Sequence, residues 1–129
     1  MKKTFLILLA VILSDTTVFA FARETQEIYT KIFLSRFLKC IPCKMEQTVT
    51  TENGKIEIVR KLGNWREHKC RYHEEITIGE KTEKFFCTLS REQVNTLYNA
   101  MKSDPMGKTT AADEWAKVKK DSGVCTIQE

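Results

Sequence analysis

After residue 22 no stretch approaches the roughly 20 apolar residues that a membrane-spanning helix requires, so the body of the chain contains no transmembrane segment. A serine nucleophile motif, a glycine-rich phosphate loop and a Glu-x-x-His helix are all missing, which removes the commonest hydrolase, nucleotide and metalloprotease chemistries. Glu74 and Glu75 are adjacent in a strand-forming stretch and so face opposite ways, leaving paired-carboxylate catalysis without support. Strong charge of one sign is lacking too: 21 Lys+Arg stand against 17 Asp+Glu, a formal net charge of +4. That mild, mixed excess lacks the clustered basic residues of nucleic-acid binders, so nucleic acid is not the expected partner. Repeats and low-complexity tracts are also absent.

What is present begins with Met1-Lys-Lys-Thr, an apolar run from Phe5 to Leu13, and the small-residue pattern Ala20-Phe21-Ala22. This reads as a secretory signal over residues 1–22, cleaved after Ala22 or after Ala20. Residues 23–129 then form a single domain, exported to the periplasm or the exterior. All five cysteines (Cys40, Cys43, Cys70, Cys87 and Cys125) lie beyond the signal. In an exported chain they favour disulfides over metal ligation. Five is odd, so at most two internal bridges form, and any four cysteines can pair in three ways.

Residues 24–39 carry Ile28, Tyr29, Ile32, Phe33 and Phe37 at helical spacing, with Arg36 and Lys39 near the end, which predicts a core helix closed by Pro42. Met45–Thr51 and Lys55–Leu62 read as strands joined through Glu52-Asn53-Gly54. Gly63-Asn64 is expected to turn the chain into a long hairpin over Trp65–Leu89, centred on Gly79-Glu80. Cys70, Tyr72, Ile76 and Ile78 share one face of its first arm, with Glu74 breaking the series, and Phe85, Cys87 and Leu89 do so in the second. Position 87 then falls opposite position 72. Ser90 and Gln93 form a capping box for a helix with Val94, Leu97, Tyr98 and Met101 on one stripe. A third helix over 111–120 follows, its inner face being Ala111, Ala112, Trp115 and Val118, and Val124–Ile127 lies against the domain as a tail. The expected fold is α+β: an N-terminal helix on a four-stranded antiparallel meander, two C-terminal helices, and disulfide staples.

Cys40-Ile-Pro-Cys43 is the sharpest motif, but a helix leads into it and a strand leads out. A redox pair whose first thiol is activated by a helix N-terminus needs the reverse order. Cys40, Cys43, Cys70 and His73 formally make a zinc set, yet residues three apart on a strand face opposite ways. Neither a metal nor another cofactor is expected. Lys69, Arg71, His73 and Glu75, near Trp65, form a basic and polar face suited to binding.

The order Cys-x-Pro at 40–42, Lys-Cys-x-Tyr at 69–72, Phe-Cys-x-Leu at 86–89 and Gly-x-Cys-Thr at 123–126 resembles a layout found in small exported bacterial cysteine-containing proteins of an uncharacterised family. The resemblance implies a four-cysteine frame of Cys40, Cys70, Cys87 and Cys125, pairing open, with Cys43 as a free or redox thiol, and it implies no activity. A helix before four strands also resembles cystatin-like folds, with Gln47-Thr-Val49 similar to part of their protease-binding loop, although Thr51 replaces the expected glycine. The expected function is non-catalytic binding of an unidentified protein or envelope component. A thiol redox factor using Cys40 and Cys43, and a protease inhibitor, are the alternatives.

Overall fold

Alternating apolar and polar residues from position 43 onward commit the chain to strands with one face to bury. The computed structural model describes residues 27–128, and the expected signal over 1–22 lies outside them. Helix α1 (Lys31–Lys39) precedes strands β1 (Cys43–Thr51), β2 (Gly54–Arg66), β3 (Lys69–Ile78) and β4 (Lys81–Leu89). Helices α2 (Arg91–Ser103) and α3 (Thr110–Lys120) follow, and the chain returns in β5 (Cys125–Gln128). The strands form one antiparallel sheet in the order β1-β2-β3-β4-β5. The helices cover one face of it, and Phe37 sits at their junction, its ring centroid 6.0 Å from Tyr72 of β3 and 5.9 Å from Trp115 of α3.

Three local expectations are corrected. α1 starts at Lys31 rather than near residue 24, because Thr30 caps it, its hydroxyl accepting from the Phe33 amide at 3.2 Å. The Ile28 and Tyr29 amides instead donate to the Pro105 carbonyl at 2.9 and 3.0 Å, fastening that segment to the loop after α2. Gly107 permits this approach, since a Cβ there would stand 2.6 Å from Ile28 Cδ1. Within α1 the buried stripe is Phe33, Leu34 and Phe37, and Ile32, expected on it, is 62% exposed.

The second correction concerns Gly63-Asn64, which does not reverse the chain. β2 runs on to Arg66, and its register against β3 slips between Leu62 and Trp65. Two residues there oppose the single residue Arg71, which is a β-bulge. Reversal falls to Glu67 and His68, both with positive φ (53° and 68°), as a two-residue type I′ hairpin turn demands of both positions. His68 therefore sits in a turn and not on the strand with His73. Third, the tail is a strand: Cys125, Thr126, Ile127 and Gln128 stand opposite Cys87, Phe86, Phe85 and Lys84 of β4, so the sheet has five strands.

Elsewhere the fold follows the residue pattern. Tyr72 stands opposite Cys87, and the Ser90 and Gln93 capping box forms, with bonds of 2.8 and 3.1 Å. Asp104, which carried no expectation, organises the loop beyond α2. Its carboxylate accepts from the amides of Lys108, Thr109 and Ala111 at 2.8–3.1 Å and so serves the start of α3.

Candidate functional site

The face of the sheet away from the helices is open, and its side chains are set by the alternation that buries Leu62, Tyr72 and Cys87 on the other side. One row crosses all five strands: Lys44 of β1, ion-paired with Glu46 at 3.2 Å, stands opposite Lys61 of β2, Lys61 opposite His73 of β3, His73 opposite Phe86 of β4, and Phe86 opposite Thr126 of β5. The His73 and Phe86 rings stack with centroids 4.3 Å apart and 17° between their planes. Arg71, one row further along and opposite Thr88, lies across the bulge. A Cβ on Gly63 would stand 3.3 Å from Arg71 Cβ and 3.4 Å from its Nε, so the absent side chain at 63 is what makes room for the arginine.

These residues line a groove of about 530 Å³, walled on one side by the turn through Ser122, Gly123 and Val124. That size is typical of small-molecule sites, which run from roughly 300 to 1,000 Å³. No carboxylate lines the groove. Among the described residues, neither Lys61 nor Arg71 has an ion pair or a side-chain hydrogen bond. Two acids stand just outside the groove: Glu75, 3.4 Å from His73 Nε2 but without hydrogen-bond geometry, and Asp121, whose Oδ1 accepts from the Gly123 amide at 2.9 Å. Partial burial lowers the His73 pKa below its ordinary value, and Lys61 and Lys84 add to this against the pull of Glu75. Both effects favour the neutral ring, which suits His73 to stack on Phe86.

Of the basic and polar face read from the sequence, Arg71 and His73 line the groove, while Lys69 and Glu75 do not. Trp65 is on the other face, because the bulge sets it opposite the buried Cys70, and the Arg91 guanidinium covers its ring at 4.2 Å. Sequence reasoning missed Lys61, Phe86 and the 122–124 wall. The signal available for them was positional, since each faces His73 or Phe86 only once the register and the fifth strand are known.

The covered face holds a second polar group that the sequence hinted at only through Glu74. Arg60 stands opposite Glu74, and both are buried. Lys119 of α3 donates to Glu74 Oε2 at 2.6 Å and the Tyr72 hydroxyl donates to Oε1. Arg60 donates to the Ile28 carbonyl at 3.0 Å and lies 4.8 Å over the Tyr29 ring, while Lys119 lies 4.3 Å over Phe85. Burial pushes the Glu74 carboxyl up, but the Lys119 and Arg60 charges outweigh it and hold the group below its ordinary value. Burial, reinforced by the Glu74 charge, raises the Tyr72 hydroxyl well above its own. Glu74 is satisfied by Lys119 and Tyr72, while Arg60 meets it only through the field across the strand pair and keeps its Nε without a hydrogen-bond partner.

The sulphurs divide by layer. Cys40, in left-handed geometry at the end of α1, is bonded to Cys70 of β3 and ties helix to sheet. Cys87 and Cys125 stand directly opposite and bond across β4 and β5. Cys43 is free and half-buried at the start of edge strand β1. With Cys40 and Cys70 in one bridge, the formal zinc set is not assembled, and no group of three His, Cys, Asp or Glu among the described residues is placed to hold a metal. Gln47 and Val49 lie in β1, Val49 buried and Gln47 donating to the Glu27 carbonyl at 2.8 Å. No described helix is long and apolar enough to cross a membrane. Comparison with protein-family models, with curated proteins and with solved structures finds no match for this chain.

Proposed function

We propose that this chain is a small, exported, non-catalytic binding protein that presents its ligand surface on the open face of the sheet. The observation that carries the reading is the groove. Two cations without acidic partners gather there beside a stacked aromatic pair, in a lining free of carboxylates. Like charges so placed repel one another and give the fold nothing in return, which is reasonable for a surface kept for an outside partner. Export to a bacterial periplasm or exterior follows from the residue 1–22 pattern and agrees with two disulfides. The partner is then a component of the cell envelope or its surroundings.

A redox role for Cys40 and Cys43 is the poorer reading. Thiol exchange needs those two sulphurs as a reversible couple, and Cys40 is bonded to Cys70. Inhibition of proteases through the 47–49 segment is likewise disfavoured, because a paired strand with Val49 buried has no loop to insert.

The test is an amide chemical-shift screen of the exported protein against small anions, cations, neutral aromatics, and acidic and basic peptides. Binders should move the amides of Lys61, Arg71, His73, Phe86 and Thr126, and the Lys61→Ser/Arg71→Ser variant should lose them. Ligands that map only elsewhere, or an open face silent to every class, would overturn the proposal. Intact mass of the secreted material should correspond to a chain starting at Arg23 or at Phe21.

A further inference from the structure

Resting on the reading of the open face as a binding surface, we infer that its groove takes a small aromatic oxyanion, the carboxylate or phosphate held between Lys61 and Arg71 and the ring laid against Phe86. Lys61 and Arg71 are diagonal neighbours on β2 and β3, a spacing of roughly 7–8 Å at Cα that long side chains close around one anion. Arg71 is an unengaged planar fork seated over Gly63, and a guanidinium of that kind takes a carboxylate or phosphate in two parallel hydrogen bonds. Thr88, opposite Arg71, supplies a hydroxyl at the same end. Across β3 and β4 the diagonal neighbour of Arg71 is Phe86, which is 37% exposed and backed by the His73 ring. A charged group at Arg71 therefore sets an attached ring over Phe86, with half-buried Val124 as an apolar wall. A bare anion would leave that apolar part unused. A neutral aromatic would leave both cations unmatched.

The probes are 2-naphthoate, phenyl phosphate, inorganic phosphate, neutral 2-naphthylmethanol and a hexaglutamate peptide, each titrated into the exported protein and followed by amide shifts. 2-Naphthoate or phenyl phosphate should shift Arg71, His73 and Phe86 and bind at least about tenfold more tightly than inorganic phosphate, which lacks the ring contact with Phe86, or the alcohol, which lacks the charge-assisted contacts with Arg71. The tighter of the two identifies the oxyanion. Arg71→Gln should weaken both aromatic anions and spare the alcohol, whereas Phe86→Ala should weaken all three aromatic probes and spare inorganic phosphate. An unchanged amide pattern outside the groove shows that each variant is folded. Equal binding by inorganic phosphate or the alcohol, or tighter binding by hexaglutamate at the same amides, sinks the ligand class while the binding reading stands. If the open face responds to none of these probes and to nothing in the wider screen, both fall.

Discussion

The covered face of the sheet gathers its charges around one carboxylate, whereas the open face leaves Lys61 and Arg71 unmatched, although the two are built from alternate residues of the same strands. Arg60 and Lys61 are neighbours in β2, as are Glu74 and His73 in β3. Burial decides the difference. A charge withdrawn from water costs several kcal/mol unless partners repay it, so beneath the helices Lys119 pairs with the Glu74 carboxylate, and Arg60, held in the field of that carboxylate, donates to a backbone carbonyl and lies over an aromatic ring. On the open side water solvates Lys61 and Arg71 without help, and nothing in folding requires them to meet. Charges that folding must neutralise say little about function, and those it leaves idle say more.

The sharpest way to break the comparison is to remove the one acid of the covered face. Glu74→Gln keeps the shape but strips the counter-charge from Lys119 and Arg60, and a loss of about 3–5 kcal/mol is expected, as for other broken buried pairs. Replacing Arg60, Glu74 and Lys119 together by Met, Leu and Met should recover most of it, because well-packed apolar groups are often as stable as a buried ion set. The linkage has a definite sign. The folded Glu74 pKa is lowered, so its stabilisation is fully present above the unfolded value of about 4.3 and is lost as pH falls through the folded value. The gap between wild type and Glu74→Gln in urea melts should be constant from neutrality down to about pH 5 and narrow below about pH 4. A gap that widened with acid would refute the assignment of Glu74 as the charged partner.

Next in size are the bridges. Removing Cys87–Cys125 by a double alanine substitution should cost roughly 2–5 kcal/mol, as loss of a native bridge typically does in small exported domains. The loss should be local in hydrogen exchange, concentrated in β5 and the groove wall, because that bridge joins only the last two strands. Loss of Cys40–Cys70, which fastens α1 to β3, should instead loosen the helix layer. Cys43→Ser, which breaks no bond, should stay under about 1 kcal/mol.

Much of the architecture was legible because the covered face of β3 and β4 repeats every two residues and the second helix announces itself with Ser90 and Gln93. What escaped notice lacked a local signal. Glu67-His68 carries neither glycine nor asparagine at its two positive-φ positions, so the residue pattern places the turn four residues early, at Gly63-Asn64, where glycine instead marks a bulge. β5 is four residues long and is a strand by virtue of pairing with β4. The covered ion set was half visible: Glu74 interrupts an apolar series, and Arg60 interrupts Ile56, Ile58 and Leu62 in the same way. Opposite charges breaking two apolar series at facing positions would have marked the pair. The groove could not be read without the register, since Lys61, His73, Phe86 and Thr126 are brought into one row by three separate pairings. Which sulphurs meet is likewise a matter of topology, as α1 ends over β3 and β5 returns beside β4.

The smallest expected effect separates the two faces most cleanly. Arg71→Gln removes a cation with no partner among the described residues, and stability should change by no more than about 0.5 kcal/mol, the usual range for surface substitutions. The sign should be stabilising at low salt, because the change relieves repulsion with Lys61. At 1 M salt the Debye length falls to about 3 Å and the difference should vanish. Melts of wild type and variant at low and high salt measure this directly. A salt-independent loss above about 1 kcal/mol would mean that Arg71 is structural, packed on Gly63 for the sake of the bulge, and the contrast between the charges of the two faces would no longer hold.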